Sequence, residues 1–573
     1  MSPTFDQFSS DFHDHFTRDA NACVALGVAK HLDELPDPSL DGMANDLARA
    51  HGLLQRIDGL RREGQPFDEA LDLDLAQLEL ERQVEHLTCE IDGRRVVERA
   101  PRAGDDIGDG MSLLFISDPR PGPERLADLT GRIEAVPAYL EGLKARIQEP
   151  VARWVEMDLE KVAELPGFFA TLRGWADELS WADSPRLARA SEAAEAALAT
   201  YAAHLAGLTT HDRVHIGPEG AARTLSTYAI DDSPEDLHEM ARDYLASTAD
   251  TIERLRRRLA AKHGQPPDIE AHALRDVLDK RFQVQVGNAG ADGILQRYET
   301  EHERILAFIE ERDLFEVFPE QQMRIVKTPE FLAPSIPAGA MVPPPAFREG
   351  VRTSIVYLTL PDDRLAEHTE LSIPSMMIHE GIPGHHLQLA TASRHPSVIR
   401  RHVNGPDLAE GWTTMLEDYM LDLGYMGDRT DEARFCGKLD ISRIGARVVI
   451  DLFFMSGQRE FLDVGVDCDL DNPDAFAAAG SLLQTVTGFS DARTKGELNW
   501  YSQERGYPLT YLVGNQAVWK LKRQVDAARQ GADALATDRL FHHTYLQAGN
   551  MPVSQLQRVF AHAGLLGPTP ASA

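Results

Sequence analysis

Three histidines and one glutamate fall within eight residues of this chain, His379-Glu380-Gly381-Ile382-Pro383-Gly384-His385-His386, flanked by Met376-Met377-Ile378 and Leu387-Gln388. Metal-assisted hydrolysis asks for two imidazoles one helical turn apart, a third ligand, an open position for water, and a carboxylate beside the first imidazole to take the water's proton. Glu380, adjacent to His379, stands where that general base belongs. Imidazole with carboxylate suits zinc better than magnesium or calcium, so the expected cofactor is Zn2+. A lone histidine is more often a packed or capping residue, but His-Glu followed by Gly-His-His is specific enough to favour metal.

The spacing departs from the usual pair of histidines four residues apart. At about 100° and 1.5 Å per residue, His385 would point well away from His379, and His386 would share its face but lie roughly 10 Å along the axis. An unbroken helix therefore chelates one ion through neither pair. Pro383 has no N–H to give and its ring collides with the carbonyl of residue i−4, which is His379, while Gly384 accepts unusual backbone angles. A bulge or break is expected here. Two residues looped out between Glu380 and Gly384 would carry His385 to the place of the second ligand, which makes His385 the preferred ligand and His386 the alternative.

A third ligand is expected from another helix. The segment from Leu408 to Met420 follows Gly405-Pro406 and carries apolar groups at Leu408, Trp412, Leu416, Tyr419 and Leu423. Glu410 and Glu417 share a face other than that of Trp412, so each reads either as a solvated carboxylate or as a ligand. Tyr511, ahead of Val513-Gly514-Asn515, is a neutral phenol able to donate to an oxyanion, or a packed core tyrosine. Asp440, Arg443, Arg447 and Asp451 recur at three and four along one helix, the pattern of a salt-bridge ladder. The other reading gives Arg447 a substrate carboxylate to hold through its fork of N–H groups.

The elements that must position these groups are mostly helical. From about Asp19 to Ala261 apolar residues recur at three and four, as in Leu126, Leu129, Ile133, Val136, Leu140 and Leu143, with breaks at Pro36 to Pro38, Pro119 to Pro123, Pro166-Gly167 and Ser233-Pro234. This reads as a stack of helical hairpins. A helical stretch from about Pro267 to Asp313 leads to a short strand at Met323-Arg324-Ile325-Val326, and then to Pro334–Pro345, too proline-rich for helix or inner sheet. Thr353 to Leu360 is β-branched and aromatic and ends at Pro361, a strand just ahead of the metal segment. Such a strand could pair with an extended peptide, and Tyr357 within it joins Arg447 as a candidate substrate contact. Three regions are expected: 1–265 helical, 266–345 connecting, and 346–573 holding the metal.

Composition narrows the partners. Lys and Arg number 58 against 91 for Asp and Glu, a formal charge of −33 in 573 residues, and no basic stripe interrupts it, which argues against nucleic acid. The 43% hydrophobic content suffices for a substantial core. Cys23, Cys89, Cys436 and Cys468 form no C-x-x-C pair, the first residues lack the pattern of a signal peptide, and no stretch approaches about 20 apolar residues. The expectation is a cytoplasmic protein with a peptide or small amide as substrate and no membrane partner.

The stretch from about Ile355 to Gly514 resembles the bacterial domain-of-unknown-function family eight-eight-five, whose members share His-Glu-x-x-Pro-Gly-His-His-x-Gln and a later Glu-Gly-Trp, here His379 to Gln388 and Glu410 to Trp412. That family in turn looks like the gluzincin metallopeptidases, in which a Glu-Gly segment carries the third ligand. The resemblance implies a mainly α, multi-helix gluzincin-like fold with a small β region next to the metal helix. It also implies Glu410 as third ligand and Glu380 as general base of a zinc metallopeptidase. Two departures bear on specificity: relatives often show Asp-x-x-x-His where Asp451 to Met455 stands, and Pro-Gly-Gln before the family's tyrosine where Arg505 to Tyr511 stands. Two rival readings are a zinc enzyme acting on a non-peptide amide and a non-catalytic binding or scaffold protein keeping a residual metal site.

Overall fold

Apolar spacings of three and four become helices where expected, and in the computed structural model 68% of the chain is helix and 5% strand. It describes residues 4–329, 339–362 and 364–567. Helix α1 (Gly122–Arg146) starts after the proline cluster, with Pro123 in its first turn, and Leu126, Leu129, Ile133, Val136, Leu140 and Leu143 form its buried face. Each such side chain contributes about 1.5–3 kcal/mol when removed from water. Helices α2 (Ala152–Glu178) and α3 (Ser184–Ala206) follow, and both α1 and α2 pack on α3, the hairpin arrangement read from the sequence.

Two compact units result. One comprises Met1–Thr227, Pro345–Arg348 and Ser397–His402; the other comprises Tyr228–Pro344, Glu349–Pro396 and Val403–Ala573. This division differs from the expected boundaries at 265 and 345. Helix α4 (Pro234–Lys262) packs on α8 (Arg443–Ser456), so it belongs with the second unit. All the candidate site residues lie in that second unit.

The first unit holds a two-residue antiparallel pair, β1 (Glu90–Ile91) and β2 (Arg94–Arg95). The second holds a sheet of β3 (Gln321–Lys327), β4 (Gly339–Val342) and β5 (Arg352–Leu358). Its order is β3-β5-β4, with β3 parallel and β4 antiparallel to β5. The strands near Met323 and Thr353 are thus present, and the proline-rich segment supplies only an edge strand; its Pro334 to Ala338 lie outside the described residues. One expectation is corrected. Because β5 is central and bonded on both sides, it has no free edge to offer an extended peptide.

Burial of histidines makes the fold acid-sensitive. Desolvation pushes His386 and His402 down to about 3 and His542 down to about 4, from an ordinary value of 6.5. The unfolded chain therefore binds more protons than the folded one once pH falls through 6.5, and stability drops from there toward pH 4. Thermal melting midpoints measured at pH 7.5, 6.0 and 4.5 are expected to fall in that order.

Candidate metal centre

The helix that begins at Ser372 does not pass through the histidine segment. Helix α5 (Ser372–Glu380) stops at Gly381, a cis Ile382–Pro383 peptide follows, and α6 (His385–Ala392) starts at the next histidine. The break is complete, where a bulge within one helix was the milder expectation. The chain folds back so closely that a Cβ on Gly384 would lie 2.0 Å from the His379 carbonyl oxygen. Helix α7 (Pro406–Asp422) latches the turn, with Trp412 Nε1 donating to the Pro383 carbonyl at 2.9 Å.

This turn brings His379 and His385 together. Their ring centres are 4.9 Å apart with planes near perpendicular at 83°. Glu410 Oε2 from α7 lies 3.7 Å from His379 Nε2 and 3.4 Å from His385 Nε2, and one donor atom from each of the three falls within 4.8 Å of the others. Ligand atoms about 2.0–2.2 Å from a tetrahedral zinc are roughly 3.3–3.6 Å apart, so the donor set fits such an ion. Glu410 is 5% exposed, and its Oε2 meets only these two imidazoles, both at distances longer than a good hydrogen bond. A buried carboxylate oxygen held only by two such long contacts is left under-satisfied, as a metal ligand without its ion would be. Burial would raise the Glu410 carboxyl, but His385 and His379 outweigh burial and hold it well below the carboxylate range. Burial would likewise lower His379, and the carboxylates of Glu410 and Glu417 raise it instead.

Glu417, the alternative ligand, sits on the other side of the first imidazole. It accepts from His379 Nδ1 at 2.8 Å through Oε1 and from Ser375 Oγ at 2.9 Å through Oε2. That bond turns His379 Nε2 toward Glu410 and fixes the tautomer, the work of a carboxylate one step outside a metal site. Glu417→Gln is expected to weaken metal affinity about 10- to 100-fold without abolishing it, measured by competition with a chelating dye. Of the two readings open for the face of Glu410 and Glu417, a solvated surface or ligands, the solvated surface is set aside, because α7 is covered by α5 and by α10 (Thr510–Ala528). At the α7–α10 crossing a Cβ on Gly411 would lie 2.5 Å from Gly514 C, and one on Gly514 would lie 2.0 Å from the Asp407 carbonyl oxygen. Glycine at both positions lets the backbones approach closely enough to set Glu410 beside the tyrosines of the segment at 507–511.

Tyr507 was not singled out from sequence. Its hydroxyl donates to Glu410 Oε1 at 3.1 Å. Its setting, Gly506-Tyr507-Pro508, reads only as a helix stop, which is why it carried no signal. Tyr511, which was singled out, lies against it with ring centres 6.1 Å apart. Burial first, and the Glu410 carboxylate second, raise both phenols well above their usual range, so they stay protonated as neutral donors. Asp451 holds this turn, accepting from the backbone N–H of Gly506 at 3.1 Å and of Leu509 at 3.2 Å. Asp451→Asn replaces one acceptor by a donor facing an N–H. It is expected to cost about 1–3 kcal/mol, read from urea unfolding.

The remaining candidates divide. Glu380 is half-buried at the end of α5, acts electrostatically on His379, and has no hydrogen-bond or ion-pair partner among the described residues. His386 is 0% exposed and turned away into the sheet, with Nδ1 2.6 Å from Ser354 Oγ and Nε2 2.7 Å from Gln321 Oε1. Tyr357, expected to touch substrate, is 2% exposed. It is three residues on from Ser354 along β5, hence on the opposite face of the sheet from α6, so that expectation is corrected. The ladder of Asp440, Arg443, Arg447 and Asp451 does not form: Asp440 pairs with Arg275 at 3.1 Å, Arg447 with Glu497 at 2.8 Å, and Asp451 with backbone.

A family model described as "Bacterial protein of unknown function (DUF885)" matches residues 22–559. The chain belongs to the DUF885 family. Two solved structures share the fold of this DUF885 chain. One is "a putative lipoprotein of unknown function from Shewanella oneidensis", with a TM-score of 0.74 at 17% identity, covering 98% of this chain and 100% of that one. The other is "the putative lipoprotein from Colwellia psychrerythraea", with a TM-score of 0.76 at 15% identity, covering 98% and 99%. No curated protein matches the DUF885 chain in sequence. Among its described residues no helix is long and apolar enough to cross a membrane.

Proposed function

We propose that this chain is a zinc-dependent hydrolase of peptide bonds with a gluzincin-like fold. The observation that carries the reading is the convergence of His379, His385 and Glu410 within 4.8 Å, with the buried Glu410 Oε2 facing both imidazoles and with Glu380, next to His379 in the chain, bound to nothing among the described residues. A structural site has no use for the last group. Zinc held by these three residues supplies a Lewis acid that acidifies water and polarises a carbonyl. Glu380 takes the proton of the attacking water and passes it to the departing amine. Tyr511 stands beside Glu410 as a neutral donor for the charge that develops on the carbonyl oxygen, while the Tyr507 hydroxyl is given to Glu410 Oε1 and holds that carboxylate in place.

Elemental analysis of protein prepared without chelator is expected to give about one zinc per chain, as three protein ligands with an open position hold one ion. No transition metal bound, with none taken up on titration with zinc, sinks the proposal. A panel of short peptides set against acylated non-peptide amines then tests the substrate class, and turnover confined to the second group replaces the peptidase reading with its small-molecule rival. We infer a cytoplasmic location from the four cysteines, none of which is in a disulfide, in keeping with a reducing compartment. The two relatives described as lipoproteins make the cell envelope the competing location. Fractionation of cells carrying the tagged full-length gene product separates the two.

A further inference from the structure

Arg447 is 6% exposed in a chain of net charge −33, and only part of its guanidinium is satisfied. Nε donates to the Tyr501 hydroxyl at 2.8 Å and Nη2 to Glu497 Oε2 at 2.8 Å, whereas Nη1 is buried with no partner among the described residues. The guanidinium lies 4.4 Å from the ring centre of Tyr511, whose phenol feels the Glu410 carboxylate. Arg447 is therefore one tyrosine away from the candidate metal ligands. Charge around it is unbalanced. Arg443 and Arg447 both act on Tyr511 and on Glu497, and both act on Arg493. The acids nearby are Glu497, which Arg447 and Tyr501 pull down to about 2 against the effect of burial, and Asp440, whose side chain is taken by Arg275. Three guanidiniums thus share two carboxylates, Glu497 and Asp440, and the second is also paired with Arg275. A buried guanidinium N–H with no acceptor is a costly arrangement that an anion relieves.

We propose that Arg447 Nη1 binds the free C-terminal carboxylate of the substrate, so that the centre cleaves short peptides near their C-terminus. An extended peptide spans about 3.3–3.6 Å per residue, so a carboxylate held across one tyrosine from the metal ligands sits about one or two residues beyond the scissile bond. This inference rests on the peptide-hydrolase reading and goes beyond it by naming the end of the peptide that is recognised. An Arg447 that only packs, tied to Glu497 and Tyr501, makes no distinction between an acid and an amide.

The test compares tripeptides with the same tripeptides carrying a C-terminal carboxamide, on the zinc-loaded full chain. The free acids are expected to have kcat/KM about 10- to 100-fold higher, the worth of one charge-assisted hydrogen bond, with the difference mainly in KM. Arg447→Lys and Arg447→Gln are expected to shrink that ratio to near one. Binding of both peptide forms to Glu380→Gln protein, by calorimetry, gives a readout independent of turnover. Equal turnover and equal binding of acid and amide by the protein with Arg447 intact overturn the proposal, even where both variants fail to fold. Discrimination in binding without turnover of either form keeps the carboxylate site and sinks the hydrolase reading instead. Binding of neither form overturns the carboxylate site.

Discussion

Glu380→Gln is expected to keep its metal and to lose amide hydrolysis by about 100- to 10,000-fold, the range attributed to a positioned proton carrier. The carboxylate is half-buried at the last residue of α5, immediately after His379, and is bound to nothing among the described residues. The candidate ligands are complete without it, since His379, His385 and Glu410 already lie within 4.8 Å of one another. Glutamine preserves the shape and removes only the ability to accept a proton. Metal content by elemental analysis and turnover of a cleaved peptide, measured on the same preparation, separate the two effects. Metal lost together with activity would make Glu380 a ligand, and activity retained would assign the proton transfer to another group.

The second large effect distinguishes two adjacent histidines. His385→Ala is expected to lower zinc affinity by more than about 100-fold, beyond what loss of an orienting group outside the site causes. His386→Ala is expected to keep the metal and to lower stability instead. His385 Nε2 lies 3.4 Å from Glu410 Oε2, whereas both nitrogens of His386 are engaged by Ser354 and Gln321 within the sheet. Removing His386 strands the buried Ser354 hydroxyl, at about 1–3 kcal/mol, and leaves the half-buried Gln321 amide to find water. Zinc dissociation constants and melting temperatures of the two variants decide the matter. Loss of metal in His386→Ala with retention in His385→Ala would show that the observed turn is not the one that binds the ion.

How much of this site was legible depends on whether a residue's role is local. Pro383-Gly384 announces a break because proline's missing N–H and glycine's freedom act within one turn of backbone. The preference for His385 over His386 follows from that break and agrees with the placement seen. Glu410 was reached through a resemblance, because on periodicity alone it reads equally as a solvated carboxylate or as a ligand. It is buried in part because α10 crosses α7 at Gly411 and Gly514, a contact between residues about a hundred positions apart in the chain. Tyr507 could not be found that way at all, since a tyrosine in a Gly-Tyr-Pro turn carries no periodic signal. It takes the hydrogen bond to Glu410, and the Asp451 carboxylate bound to the turn, to reveal it.

By itself the sequence determined the helical class, the positions of the short strands, the break at Pro383-Gly384 and the cluster of histidines and Glu380 around it, since each of these follows from backbone chemistry and side-chain type over a few neighbours. Only the tertiary structure decided which carboxylate faces the imidazoles and which merely orients one of them. It likewise decided that Tyr357 is buried while Arg447 keeps an unpaired nitrogen, and that β5 has no free edge. Those outcomes depend on which helix covers which face and which strand pairs with which, and hydrophobic patterning specifies that a face is buried without specifying its partner.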